Sequence, residues 1–150
     1  NGLLILLGIV AEDSQEDINW LTNKVANLRI FEDEKGVMNK SLLDTNGEAI
    51  VVSQFTLQAS TKKGNRPSYI KAARPEVSQF TLVADTHKGL RPSFSKAGLP
   101  EESERLYRLF IATAKAEGAL VKEGQFGADM KVELLNDGPV TIIIDSKNKA

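Results

Sequence analysis

Ser-Gln-Phe-Thr occurs twice in this sequence, at residues 53–56 and again at 78–81, and each copy leads into a loop rich in lysine and arginine. Placed at the end of a strand, Ser53, Gln54, Phe55 and Thr56, or Ser78, Gln79, Phe80 and Thr81, would turn backbone N–H groups and short polar side chains towards a ligand. Such donors stabilise an oxyanion without any ionisable side chain. A third polar constellation, Asn136-Asp137-Gly138-Pro139-Val140-Thr141, combines a glycine that tolerates unusual backbone angles with an X-Pro bond, the one common source of cis peptides. The same residues also read as an ordinary hairpin turn. Arg66 and Arg91 of the two basic loops, with Asn136 of the turn, are the side chains placed to contact a substrate.

The usual catalytic machinery is missing. His87 is the sole histidine, and Lys62 takes its place in the other copy, so neither a histidine triad nor a multi-histidine metal site can be built. There is no cysteine, hence no thiolate zinc site, no thiol nucleophile and no disulfide framework. Gly64 and Gly89 stand alone rather than in a glycine-rich phosphate loop. No metal and no cofactor are therefore expected.

Each Ser-Gln-Phe-Thr belongs to a module of 25 residues, and residues 52–76 and 77–101 are identical at 17 aligned positions. Repeat arrays need about three or more units to bury a continuous core. Two units inside 150 residues instead suggest one module copied in tandem within a single domain spanning residues 1–150. From Gln58 to Gly98 eight basic residues face only Glu76 and Asp85, a net +6, which leaves −7 for the rest of a chain whose total is −1. The charge pattern fits either a solvated lysine-rich loop or a local phosphate-binding face that would hold one end of a nucleic acid.

The elements that must position these residues can be read in order. Residues 3–10 form a continuous apolar run, expected as a strand buried on both faces and far too short to span a bilayer. Without a basic leader or a cleavage site it does not read as a signal peptide. Ser14 and Asp17 form a capping-box pattern that opens a helix to about Leu28, with Ile18, Leu21, Val25 and Leu28 on its inner stripe and Trp20 packing beside it. Two short strands about the polar turn 32–36 follow, and Asn46-Gly47 turns the chain into a strand over residues 48–57. The second copy lacks such a lead-in because Pro75 cannot donate to a ladder. It runs instead into a helix from Pro100 to about Glu117, stopped by Gly118, with Leu106, Leu109, Phe110 and Thr113 turned inward. Copy one thus owns a strand and copy two a helix. Alternation over residues 128–135 predicts another strand, with 140–145 returning beside it and a frayed tail behind.

Ser-Gln-Phe-Thr-Leu, Lys-Gly-x-Arg-Pro-Ser, Phe-Gly-Ala-Asp-Met and Asn-Asp-Gly-Pro-Val-Thr occur here in the order seen in the D-aminoacyl-tRNA deacylases, and the resemblance runs from about Gly2 to Ile144. It implies an α+β fold, a compact, mostly antiparallel barrel-like sheet with two main helices, in a cytoplasmic homodimer with active sites at the interface. It implies hydrolysis of the ester joining a D-amino acid, or misplaced glycine, to the 3′ end of tRNA. By resemblance, the Ser-Gln segment of one copy supplies the main-chain donors and polar wall. Thr56 or Thr81 would be the proposed nucleophile, against a rival account that uses the RNA's own 2′-hydroxyl. The absence of a neighbouring base favours the latter. Gly138-Pro139 matches a cis dipeptide that enters the partner's pocket and excludes L-amino acids. Phe126 and Met130 match positions lining an adenine pocket, with plain core packing as the rival role. The resemblance also implies a stretch ahead of Gly2, carrying a Gln-Arg pair near the active site, that these residues do not include. Two other readings stand beside the enzyme: an inactive spliced or engineered homologue that keeps the fold without turnover, and a small-ligand-binding oligomer of similar shape.

Overall fold

In the computed structural model, the residues described are 2–53, 99–137 and 140–149. Gln54 to Gly98, which holds most of both repeat copies, and Gly138-Pro139 lie outside them. Strand β1 (Gly2–Leu7) is followed by helix α1 (Gln15–Ala26), a short hairpin of β2 (Phe31–Glu32) and β3 (Met38–Lys40), and strand β4 (Glu48–Ser53). Helix α2 (Pro100–Ala116) and strand β5 (Leu120–Glu123) complete the set.

The main sheet has the order β1-β4-β5 and both of its ladders are parallel, with Leu7 opposite Ser53 and Val51 opposite Glu123. Among the described residues the β2–β3 hairpin is the one antiparallel pair. The α+β class therefore holds. Among the described residues, however, the sheets are mixed and form no closed barrel, in place of the mostly antiparallel barrel-like sheet expected. Parallel strands need long crossovers. One crossover carries α1 and the hairpin, and the other carries the repeat and α2.

Period-two alternation sends Leu7 and Val51 to the helix side, with Ile5 and Val121 packed against that core. There they meet Ile18 of α1 and Leu106, Tyr107, Phe110 and Ile111 of α2. Leu6, Ile50 and Leu120 on the opposite face remain exposed, so β1 is not buried on both sides as its composition suggested. A Glu48–Lys122 ion pair at 2.8 Å crosses that open face. Buried Leu42, Ala49 and Ala119 make a second apolar cluster.

The capping box at Ser14 is present. Ser14 N and Oγ both donate to Asp17 Oδ2, at 2.9 and 2.8 Å. The buried stripe of α1 runs through Ile18, Thr22 and Ala26, flanked by Leu21 and Val25, and the helix ends before Leu28. Helix α2 starts with Pro at its first turn, carries Glu101 and Glu102 there, and ends before Gly118 at φ +96°, a left-handed angle suited to glycine. Its inner face is Ser103, Leu106, Tyr107, Phe110, Ile111 and Ala114, which makes Leu109 and Thr113 flanking rather than central. Asn46 at φ +49° turns the chain into β4.

Two expectations fail at the C-terminal end. Residues 128–135 and 140–145 take no strand, and their apolar members, Leu135 at 91% exposure and Ile143 at 80% among them, face outward. Alternation marks a strand only where an edge offers hydrogen-bond partners, and no described segment pairs with these residues. Leu120–Glu123, too short and mixed to carry a pattern, pairs with β4 because it is delivered to that edge by α2. The tail is not frayed. Lys147 Nζ donates to Glu12 O at 2.9 Å and to Asp17 Oδ2 at 2.6 Å, and Lys149 Nζ lies 5.2 Å from the Trp20 ring centroid. The carboxylates of Asp13 and Asp17, the Glu12 carbonyl and the Trp20 ring hold it there.

Candidate active site

Strand β4 ends on Ser53, the first residue of the first Ser-Gln-Phe-Thr. Ser53 is 5% exposed, and its Oγ has no hydrogen-bond partner among the described residues. A buried hydroxyl without a partner is costly in a fold and stands out as a site for a ligand or for neighbouring polar groups.

The backbone just before Ser53 is tightly held. Val51 O accepts from the Tyr107 hydroxyl at 2.9 Å and from Gly124 N at 3.2 Å. The same hydroxyl lies 3.2 Å from Gly124 O. Burial pushes the Tyr107 pKa up, a backbone hydrogen bond with Gly124 offsets part of this, and the charge of Glu123 adds to it. The hydroxyl is therefore a neutral donor across the physiological range.

Gly124 opens the loop that carries Phe126. The Phe126 ring lies 5.7 Å, centroid to centroid, from Tyr107 at an interplanar angle of 49°. Met130 folds back over Gly124, since a Cβ there would stand 2.5 Å from Met130 Sδ. An open depression of about 410 Å³ is lined by Glu104, Tyr107, Arg108, Glu123, Gln125 and Phe126, with Gly124 at its floor. Its carboxylates are paired, Glu104 with Arg108 at 2.6 Å and Glu123 with Lys115 at 3.2 Å, so no free general base is offered there. Among the described residues no cluster of His, Asp or Glu is arranged to hold a metal ion.

Of the residues singled out from sequence, Ser53, Phe126 and Met130 thus lie on segments joined through Tyr107 and Gly124. Asn136 is exposed, and no hydrogen bond among the described residues ties it to this group. Gln54, Phe55, Thr56, Arg66, Ser78, Gln79, Phe80, Thr81, Arg91, Gly138 and Pro139 lie outside the described residues. Sequence reasoning passed over Tyr107. The signal was available, because a tyrosine between Leu106 and Phe110 on an inward face must find a partner for its hydroxyl.

The model of the family described as D-Tyr-tRNA(Tyr) deacylase matches residues 1–78 and again residues 76–145. The chain belongs to this family. The two matches meet at 76–78, the junction of the two repeat copies, as expected when one module of a family fold has been duplicated. It is 57% identical to the D-aminoacyl-tRNA deacylase of Flavobacterium psychrophilum over 149 residues, covering 99% of this chain and 83% of the relative. The D-aminoacyl-tRNA deacylase of Bacteroides fragilis strain YCH46 is 56% identical with the same coverage. A solved structure named c-Myc DNA Unwinding Element Binding Protein superposes with a TM-score of 0.69 at 35% identity, covering 95% of this chain and 80% of that one. The deacylase resemblance drawn from the motifs is thereby shown, and nothing in these comparisons supports the inactive alternative.

Proposed function

We propose that this chain is a D-aminoacyl-tRNA deacylase that hydrolyses the ester between a D-amino acid, or misplaced glycine, and the 3′ adenosine of tRNA. The observation that carries the reading is the 57% identity to a D-aminoacyl-tRNA deacylase across 99% of the chain. It is supported by the local chemistry, in which Ser53, buried and without a hydrogen-bond partner among the described residues, ends β4, whose Val51 carbonyl is hydrogen-bonded to the start of the loop bearing Phe126 and Met130.

In this reading the backbone N–H groups of the Ser-Gln turn meet the oxygen that becomes negative as the ester carbonyl turns tetrahedral. Phe126 and Met130 receive the adenine. The RNA's own 2′-hydroxyl assists a water molecule in attacking the carbonyl carbon, and the bond from that carbon to the 3′ oxygen then breaks. The 3′ oxygen takes up a proton from the water to become the free hydroxyl of tRNA. The amino acid is released as its carboxylate, with the second proton passing to solvent. No ionisable side chain is required, in keeping with the paired carboxylates around the depression. Arg66, Arg91 and Asn136 contribute to holding the RNA. A tRNA substrate and the reducing environment suited to a cysteine-free chain favour the cytoplasm. Among the described residues no helix is long and apolar enough to cross a membrane.

The working unit is a homodimer in which Gly138-Pro139 of one protomer enters the other's pocket and rejects L-amino acids by steric clash. The outward apolar residues of 128–135 and 140–145 support this, because a second copy would cover them. The deciding assay compares release of D-tyrosine and L-tyrosine from charged tRNA. Selective loss of the D-ester is expected, with Gly138→Ala and Pro139→Ala blurring the preference. Equal rates for both esters in the unaltered chain would remove the reading.

A further inference from the structure

Tyr107 reaches two segments that would otherwise be independent. Its hydroxyl lies 2.9 Å from Val51 O, two residues ahead of Ser53, and 3.2 Å from Gly124 O, two residues ahead of Phe126. Its ring is 2% exposed and stands against Phe126 at 5.7 Å. Val51 O and Gly124 N are themselves joined at 3.2 Å, so the three groups form a closed set around one carbonyl. Helix α2 is deeply packed, and the loop after β5 meets it and the core through Phe126, which stands on the Tyr107 ring, while Met130 folds over Gly124.

We infer that Tyr107 is a positioning residue, whose hydroxyl sets the distance between the end of β4 that bears the Ser-Gln turn and the loop that bears the Phe126–Met130 wall. The inference rests on the deacylase reading, in which the first segment meets the scissile ester and the second meets the adenosine. An ester held by its nucleoside but displaced from the oxyanion donors is bound without being in reach of reaction. Misplacement on the order of 1 Å is enough to cost about 100-fold in rate. The hydroxyl therefore acts on alignment in the transition state more than on binding.

Tyr107→Phe is the direct test, because it keeps the buried ring and removes only the oxygen. Kinetics are read on D-Tyr-tRNA at a temperature where a thermal melt shows the variant folded. The expected result is a fall in kcat of about tenfold with KM changed less than about threefold, the signature of an interaction felt chiefly in the transition state. Phe126→Leu and the double variant complete a cycle. If the hydroxyl works through the wall, the double variant loses little more in kcat/KM than the worse single variant, since coupled groups are non-additive. An unchanged kcat in folded Tyr107→Phe, a change confined to KM, or strictly additive losses would overturn the inference. The outcome is separable from the underlying reading, which fails only if the unaltered chain shows no preference for the D-ester.

Discussion

Ser53 shows how a single side chain and its backbone can be told apart. The hydroxyl is buried and makes no hydrogen bond to any described residue, so within that part of the fold a methyl group forfeits nothing. Ser53→Ala is expected to change unfolding free energy by less than about 1 kcal/mol in a urea melt. If the main chain at Ser53 carries the chemistry, the same variant keeps D-selective turnover, whereas a chemical role for the Ser53 hydroxyl itself would leave none. Ser53, Phe126 and Met130 were legible as candidates because the motifs around them are distinctive. Tyr107 was not, because its importance lies in which two carbonyls its hydroxyl reaches, and those carbonyls are far away in the chain.

Among the elements, the start of α1 is the most strongly organised by charge. Burial opposes ionisation of Asp17. Even so, hydrogen bonds from Lys147, the Ser14 hydroxyl and the Ser14 backbone hold its carboxyl well below the ordinary carboxylate range. Burial chiefly raises Asp13, a hydrogen bond from Val10 N and the charge of Lys147 work against that, and the negative charge of Asp17 adds to it. A carboxyl depressed on folding adds stability above its unfolded pKa of about 3.9, and that contribution is lost as pH falls through the folded value. A raised carboxyl acts in the opposite sense, but the Asp17 displacement is the larger. Asp17→Asn is therefore expected to cost about 1–2 kcal/mol at neutral pH, within the range for a lost helix cap strengthened by an ion pair. Urea melts repeated from about pH 5 downward check the sign, since the gap between variant and parent should close as Asp17 takes up its proton. The cap was visible in the Ser14–Asp17 spacing. Its union with the C-terminal tail was not, because Lys147 reaches it across 130 positions.

At the scale of the molecule, the described residues leave an apolar sheet face and two outward-facing apolar segments without cover. The two segments alternate as strands do, yet among the described residues no sheet edge pairs with them. Ile143→Asp places a charge where Ile143 is 80% exposed. Light scattering is expected to give a dimer for the unaltered chain and a protomer for the variant, with the thermal midpoint of the protomer little changed and D-ester hydrolysis lost. A fully active variant of unchanged mass would show that this surface is not the contact.

The two described helices with their caps and stops, the strand leading into the first Ser-Gln-Phe-Thr, the doubled module and the deacylase family could all be read from residue order, because local capping, apolar period and short motifs are encoded within a few residues of one another. That β1, β4 and β5 run parallel, that Leu120–Glu123 rather than residues 128–135 joins the sheet, and that Tyr107 links Val51 to Gly124 emerge from the folded chain alone. Strand pairing and buried hydrogen bonds depend on which distant segment arrives beside which edge, and that is settled by how the whole chain packs.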